Sequence, residues 1–387
     1  MTIQPMTLRL SDAVLDDLHD RLDRTRYVPS IGSGSIGSGS AGSGGSAARP
    51  AGLGGDRLRE LVEGWRAFDW RAEEERLGAY EHGLAEVRGH RIHFVRVRPV
   101  QPLPPGTRVV PLLLLHGWPS AFTEYLPLAD LLASEAADGI AFDVVVPSLP
   151  GFVFSELPEG PLTRSAIAED LHALMTDALG FDRYAAFGGD IGGGAATWLG
   201  VDHAHAIIGV QLIHPPFPAD ETPQDDAEKA YLDALAEYDA DDGGYSAIME
   251  TRPDTIAAAL ADSPAGLLAW IADKWDAWTD GGLAALDPAI LYRVATLYWA
   301  TGSIGTSFQQ YFDWPANPPR PPITAPLGVL LSRETGFRAY PRSLAERAAT
   351  DLRTFEPAAA GGHFLGAEQP EAAAEAIRRL FGEVLGE

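Results

Sequence analysis

The run Gly188-Gly189-Asp190-Ile191-Gly192-Gly193 sets one carboxylate in a glycine-hemmed turn. A carboxylate so placed has a particular use. Its attack on an electrophilic carbon gives an alkyl ester, which water can cleave. A serine at the same spot would give an ether and stop after one turnover. The apolar run Tyr184 to Phe187 reads as a buried strand leading into the turn, and Ala195, Ala196, Trp198 and Leu199 as the helix leaving it. A G-x-nucleophile-x-G bend between strand and helix strains the backbone so that the central side chain stands above the sheet. Glycines flank it because a Cβ there would collide with neighbouring backbone.

An ester on Asp190 needs a base to activate water and donors to stabilise an oxyanion. The expected base is His363 in Gly361-Gly362-His363-Phe364, late in the chain, which fits the order nucleophile, acid, histidine. The acid that orients it should close a strand between the two, and Glu334 follows Leu327 to Arg333 in that way, with Asp351 and Glu356 as fallbacks. The oxyanion donors are expected from His116-Gly117-Trp118-Pro119, at the end of the strand Val109 to Leu115. The Trp118 amide would supply one N–H and Ile191, after the nucleophile, the other. A cis Trp118–Pro119 bond suits such a turn. Trp118 and His116 are also expected to touch the substrate. No G-x-S-x-G occurs, which argues against serine esterases. The glycines lack G-K-[ST] and do not spell G-x-G-x-x-G, which argues against phosphate or dinucleotide binding. His203 and His205 are two apart and make a poor metal pair on a helix. Neither a metal nor a cofactor is expected.

These groups need a sheet to hold them. Val109 to Leu115, Phe142 to Val146, Tyr184 to Phe187, Ile207 to Ile213, Leu327 to Leu331 and Arg353 to Phe355 are short, largely apolar candidate strands. Such strands lie in parallel sheets covered on both faces. Thr163 to Leu179 is an amphipathic covering helix. Between His214 and Pro326 the strand rhythm stops, and the helical sequence there holds tryptophans 270, 275, 278, 299 and 314. It reads as a helical cap over an apolar pocket. Residues 1–100 form an N-terminal extension. It contains helices at Leu8 to Leu22 and Asp56 to Phe68, a Gly/Ser tract at 30–48 expected to be a flexible surface loop, and a hairpin of Glu81 to Val87 with Arg91 to Arg98 about Gly89. The expected division is 1–100 extension, 101–214 first core part, 215–325 cap and 326–387 second core part.

Bulk composition narrows the partners. With 387 residues, 46% of them apolar, the chain can bury a large core. A net charge of −25 argues against nucleic acid or an anionic membrane. The absence of cysteine excludes disulfides and thiolate chemistry. The N-terminus lacks signal-peptide character and no run of about 18 apolar residues occurs, so a cytoplasmic protein is expected. A homodimer is compatible with the sequence, which does not fix the oligomeric state.

Taken together, these residues resemble the α/β-hydrolase-fold epoxide hydrolases, and among them the microsomal-type branch. Leu61-Val62-Glu63-Gly64-Trp65, Phe68-Asp69-Trp70-Arg71 and Gly89-His90-Arg91-Ile92-His93-Phe94 resemble its N-terminal extension. His116 to Pro119, Gly188 to Gly193, Asp262 to Leu267, Leu297-Tyr298-Trp299 and Gly361 to Phe364 resemble its other signatures. The resemblance implies an α/β fold with a mostly parallel sheet and an inserted cap. It also implies two cap tyrosines bonding the epoxide oxygen, at positions matched here by Tyr245 and Tyr311. The implied reaction converts a lipophilic epoxide, aryl epoxides among the candidates, plus water into a vicinal diol through an Asp190 ester. Haloalkane dehalogenation at the same aspartate and a non-catalytic capped binding protein are the rival readings. The first is disfavoured by Ile191, where dehalogenases use a tryptophan for leaving halide. The second is disfavoured by the presence of nucleophile, acid, base and both tyrosines.

Overall fold

The computed structural model describes residues 2–30, 51–134, 136–137 and 139–386. The Gly/Ser tract at 30–48 therefore lies, apart from Ser30, outside the described residues. Among the described residues one nine-stranded sheet runs in the order β1-β2-β3-β5-β4-β6-β7-β8-β9. Strand β1 (Ile3–Pro5) pairs antiparallel with β2 (Glu81–Val87), which turns back into β3 (His90–Val97). β3 lies antiparallel to β5 (Ile140–Pro147). From there β5, β4 (Arg108–Leu115), β6 (Tyr184–Gly188), β7 (Ile207–Leu212), β8 (Leu327–Leu331) and β9 (Leu352–Pro357) are parallel. β5, β6, β7 and β8 are buried at every position, as a sheet covered on both faces requires.

In the extension, α1 (Asp12–Asp23) starts four residues later than the apolar spacing predicted. Ser11 caps it, its Oγ accepting the Val14 N–H at 3.3 Å, while the Leu10 amide is held extended by Glu74 at 2.6 Å. α2 (Gly55–Ala67) and α3 (Trp70–Gly78) follow. α4 (Leu126–Ser134) and α5 (Arg164–Ala173) lie between core strands, and α5 runs on as a π turn, Leu174–Ala178. α6 (Asp190–Asp202) leaves β6 directly. Between β7 and β8 the chain is helical, as read from sequence: α7 (Asp226–Asp242), α8 (Gly244–Thr251), α9 (Pro253–Asp262), α10 (Pro264–Trp278), α11 (Pro288–Thr301) and α12 (Gln309–Phe312). α13 (Arg342–Ala348), α14 (Leu365–Glu368) and α15 (Pro370–Gly386) complete the chain. No single described helix is long and apolar enough to cross a membrane.

Trp275 of α10 does more than fill the helical layer. Trp275 is fully buried, stacks on Phe364 at 3.7 Å between ring centres, and donates from Nε1 to the Pro119 carbonyl at 3.0 Å. From α11, the Tyr298 hydroxyl donates to the Ser120 carbonyl at 2.9 Å. Both bonds fasten the helical layer to the turn after β4, whose Trp118–Pro119 peptide is cis. The extension grips the other side of the same helices. Trp65 Nε1 donates to Thr296 Oγ1 at 2.8 Å, Arg293 pairs with Glu73, and Arg21 donates to the Asp262 carbonyl at 2.6 Å. Trp65→Phe leaves a buried hydroxyl without that donor and should lower stability by about 1–2 kcal/mol. Urea unfolding checks this; an unchanged midpoint would show that the contact does not fasten the extension.

Candidate active site

The β6–α6 junction holds Asp190 with φ +51°, in the left-handed region that non-glycine residues seldom occupy. Close packing fixes this bend. A Cβ on Gly192 would sit 2.1 Å from the Leu115 carbonyl oxygen, and one on Gly117 would sit 2.3 Å from Asp190 Oδ1. Both positions must be glycine for the turn after β4 to approach the elbow. The Trp118 amide then donates to Asp190 Oδ1 at 2.9 Å. Ile191 is the next residue of α6, whose first-turn N–H groups lack intrahelical partners.

His363 and Glu334 meet as the sequence predicted. Nδ1 lies 2.7 Å from Glu334 Oε2, and the two side chains are only 7% and 6% exposed. Burial alone would lower the imidazole pKa, but Glu334, Asp190 and Glu124 outweigh it and raise it to about 9. The fallback acids are engaged elsewhere, Asp351 with Arg353 at 2.5 Å and Glu356 with Arg379 at 2.7 Å. The turn before His363 is as tight as the elbow: a Cβ on Gly362 would fall 2.1 Å from the Trp278 carbonyl oxygen. That carbonyl accepts the His363 N–H at 2.8 Å, and the Trp278 ring covers the imidazole at 4.6 Å.

His116 is not placed against a substrate. It is fully buried, Nε2 accepts from the Leu149 N–H at 3.2 Å, and Nδ1 faces the Gly117 carbonyl at 3.0 Å. With burial holding its pKa down to about 4, it is a neutral brace of the turn, which corrects the expected substrate contact. The Trp118 ring is likewise fully buried, so what it offers the site is its amide and an aromatic floor.

Two groups escaped the sequence reading. His214, taken there as the point where the strand rhythm stops, accepts the Asp190 N–H on Nδ1 at 2.7 Å and lies 3.0 Å from the His363 carbonyl oxygen through Nε2. Accepting on one nitrogen and donating on the other requires a neutral ring, and burial accordingly pushes its pKa well down. A polar residue directly after a buried strand beside the nucleophile's strand was the available signal. Glu124 is buried next to Ser120 behind the triad, and burial pushes its carboxyl up to about 7. Together with Gly117, Ser120, Asp190, His214 and His363 it lines a tight crevice. His214, Glu334 and His363 cluster closely enough to hold a metal ion, but both His214 nitrogens and His363 Nδ1 already have protein partners.

Tyr245 on α8 and Tyr311 on α12 converge from the helical layer onto Trp118. The Tyr245 ring stacks on the indole at 5.4 Å and 8°, Tyr311 meets it edge-on at 5.8 Å, and the two tyrosine rings are 6.2 Å apart. Burial first, and then the Asp190 charge, raise both phenol pKa values well above 10. Both phenols are therefore protonated near neutrality.

A family model described as "Epoxide hydrolase N terminus" matches residues 3–125, and one described as "alpha/beta hydrolase fold" matches 110–265. Epoxide hydrolase 1 of Sus scrofa is 30% identical over 98% of this chain and 89% of that protein. Among solved structures, juvenile hormone epoxide hydrolase from the silkworm Bombyx mori superposes with a TM-score of 0.87, at 26% identity, covering 100% of this chain and 95% of that one. Aspergillus niger epoxide hydrolase gives 0.81 at 28% identity, covering 99% and 97%.

The raised His363 pKa has a measurable cost at high pH. Its stabilisation is complete below the unfolded value near 6.5 and is lost as pH rises through about 9. Between pH 6 and 10 the wild type should lose about 3 kcal/mol relative to His363→Gln, from a shift of that size. Denaturant titrations of both proteins across that range test this; parallel curves would refute the raised value.

Proposed function

The chain belongs to the microsomal-type branch of the α/β-hydrolase-fold epoxide hydrolases, and on that premise we propose that it converts a lipophilic epoxide to a vicinal diol with Asp190 as nucleophile. One observation carries the assignment of roles: the Trp118 amide holds the Asp190 carboxylate, and Tyr245 and Tyr311, packed on the Trp118 ring, lie near enough to feel its charge. Aspartate needs no base for attack, being ionised near neutrality. It displaces the ring oxygen from carbon, and the two phenols donate hydrogen bonds that strengthen as alkoxide charge grows. The alkoxide takes up a proton from one of the phenols, which water then reprotonates, and an ester remains on Asp190.

Ester formation prepares the second step. It removes the Asp190 charge, one of the influences holding the His363 pKa high. The imidazole therefore gives up its proton more readily once the ester exists, and becomes the base that water requires. Hydroxide adds to the Asp190 carboxyl carbon, the oxyanion is met by the Trp118 and Ile191 N–H groups, and collapse returns the carboxylate and expels the diol. Each such donor contributes roughly 3 kcal/mol on oxyanion-hole precedent. Glu334 keeps His363 oriented and supports its charge in the transition state. Dehalogenation is disfavoured because the aliphatic Ile191 side chain offers leaving halide no N–H.

Two measurements test this reading. His363→Gln mixed with styrene oxide should accumulate an enzyme heavier by the mass of one epoxide, located on Asp190 by peptide mass spectrometry. Full turnover with no adduct would remove His363 as the base. Tyr311→Phe should slow ester formation in single-turnover experiments roughly 10- to 1,000-fold. An unchanged rate would exclude it as a donor to the ring oxygen.

A further inference from the structure

Arg164 opens α5, after a Thr163 cap, at a helix end where a cation is disfavoured by the macrodipole. Its guanidinium is not on the outer surface. A Cβ on Gly194 would sit 2.4 Å from its Cδ and 2.9 Å from its Cζ, so the stem lies on the first turn of α6 where a side chain would exclude it. Gly194 is four residues after Asp190, on the same face of that helix and one turn, about 5–6 Å, along it. From the other side the Trp314 ring covers the guanidinium at 4.5 Å, and Trp314 is three residues beyond Tyr311. Arg164 is thus clamped between a position one turn from Asp190 and a residue just past Tyr311.

The clamp provides no counter-ion. Nε is wholly buried without a hydrogen-bond partner, and no carboxylate among the described residues forms an ion pair with Arg164. By contrast, buried arginines elsewhere in the fold are paired, Arg293 with Glu73 and Arg347 with Glu228. Burial pulls the guanidinium pKa below 12.5, opposed at longer range by Asp190 and Tyr311, while His214 and Arg320 lie close enough to feel its positive charge. Arg320 is itself satisfied by the Phe217 and Pro321 carbonyls and brings no negative charge. Yet Arg164 keeps part of its surface open. Seated one turn along α6 from Asp190 and beside Trp314, the guanidinium lies near enough to Asp190 and Tyr311 to feel their charge.

A buried cation left unpaired is costly, and the cost falls when a ligand brings the missing anion. We propose that Arg164 is an anion subsite of the substrate pocket, so that the preferred epoxides carry a carboxylate within a few bonds of the oxirane. This rests on the epoxide-opening function proposed above and narrows its substrate class. A charge-assisted bond, bidentate where geometry allows, would orient the ring carbon toward Asp190. It would also offset the repulsion that an acid meets from Asp190 and from a chain of net charge −25.

The test uses two acid–ester pairs on the full chain: 4-(oxiran-2-yl)benzoate and 3-phenylglycidate, each beside its methyl ester, with styrene oxide as neutral reference. The readout is the acid-to-ester ratio of kcat/KM, which cancels losses common to both. In Arg164→Met this ratio should fall roughly 10- to 100-fold for at least one pair, as expected for a hydrogen bond to a charged group. Arg164→Lys, which keeps the charge, should retain most of the preference and guards against misfolding of the methionine variant. Ratios that stay constant for both pairs, or acid and ester rates that fall together, overturn the subsite. If the wild type opens styrene oxide while the ratios stay constant, only this inference fails. If it opens none of the five epoxides, the proposed function itself fails.

Discussion

A non-glycine residue held at φ +51° costs about 1 kcal/mol or more, and surrounding structure must over-determine it. At Asp190 that structure is concrete. Gly117 and Gly192 let the turn after β4 press against the elbow, the Trp118 amide holds Oδ1, and His214 takes the backbone N–H. The same turn is fastened from above by Trp275 and Tyr298. Bend, turn and helical layer therefore form one mechanical unit, and an error in any of them moves Asp190.

Charge is arranged with similar economy. Asp190, Glu334 and Glu124 surround His363, and their combined field overrides the burial penalty on its imidazolium. Glu124 shows the converse: enclosed beside two other carboxylates, it is pushed up to about 7 although His363 opposes the shift. His214 joins Asp190 and His363 without a charge, through one imidazole bonded to the Asp190 amide and the His363 carbonyl. Charging it would remove the acceptor that Asp190 needs. Its burial protects that geometry.

The N-terminal extension takes part in this architecture. It lays β1 and β2 onto the sheet edge and packs Trp65, Glu73 and Arg21 against α9, α10 and α11. Those helices carry Trp275 and Trp278, one bonded to the turn beside Asp190 and the other covering His363. The orientation of the helical layer relative to Asp190 is thus set from two sides.

Much of this was legible in the chain. Asp190, Glu334 and His363 could be read because each lies in the turn region beyond a strand, and the apolar runs of β6 and β8 announce themselves without partners. The Gly-rich turns were legible because only glycine tolerates the approaches they make. The helix starting at Asp12, and not at Leu8, was hidden because its beginning depends on Glu74, more than sixty residues away. His116 looked available and is buried; His214 marked only the end of the strand rhythm and is a bonded brace. The sequence by itself determined the strand–helix alternation and the order of nucleophile, acid and base, since these follow from local periodicity and turn chemistry. Which nitrogen meets which amide, how the two tyrosines pack on the Trp118 ring and which arginine is left without a counter-ion were decided only by tertiary packing, because burial and pairing are properties of neighbours far apart along the chain.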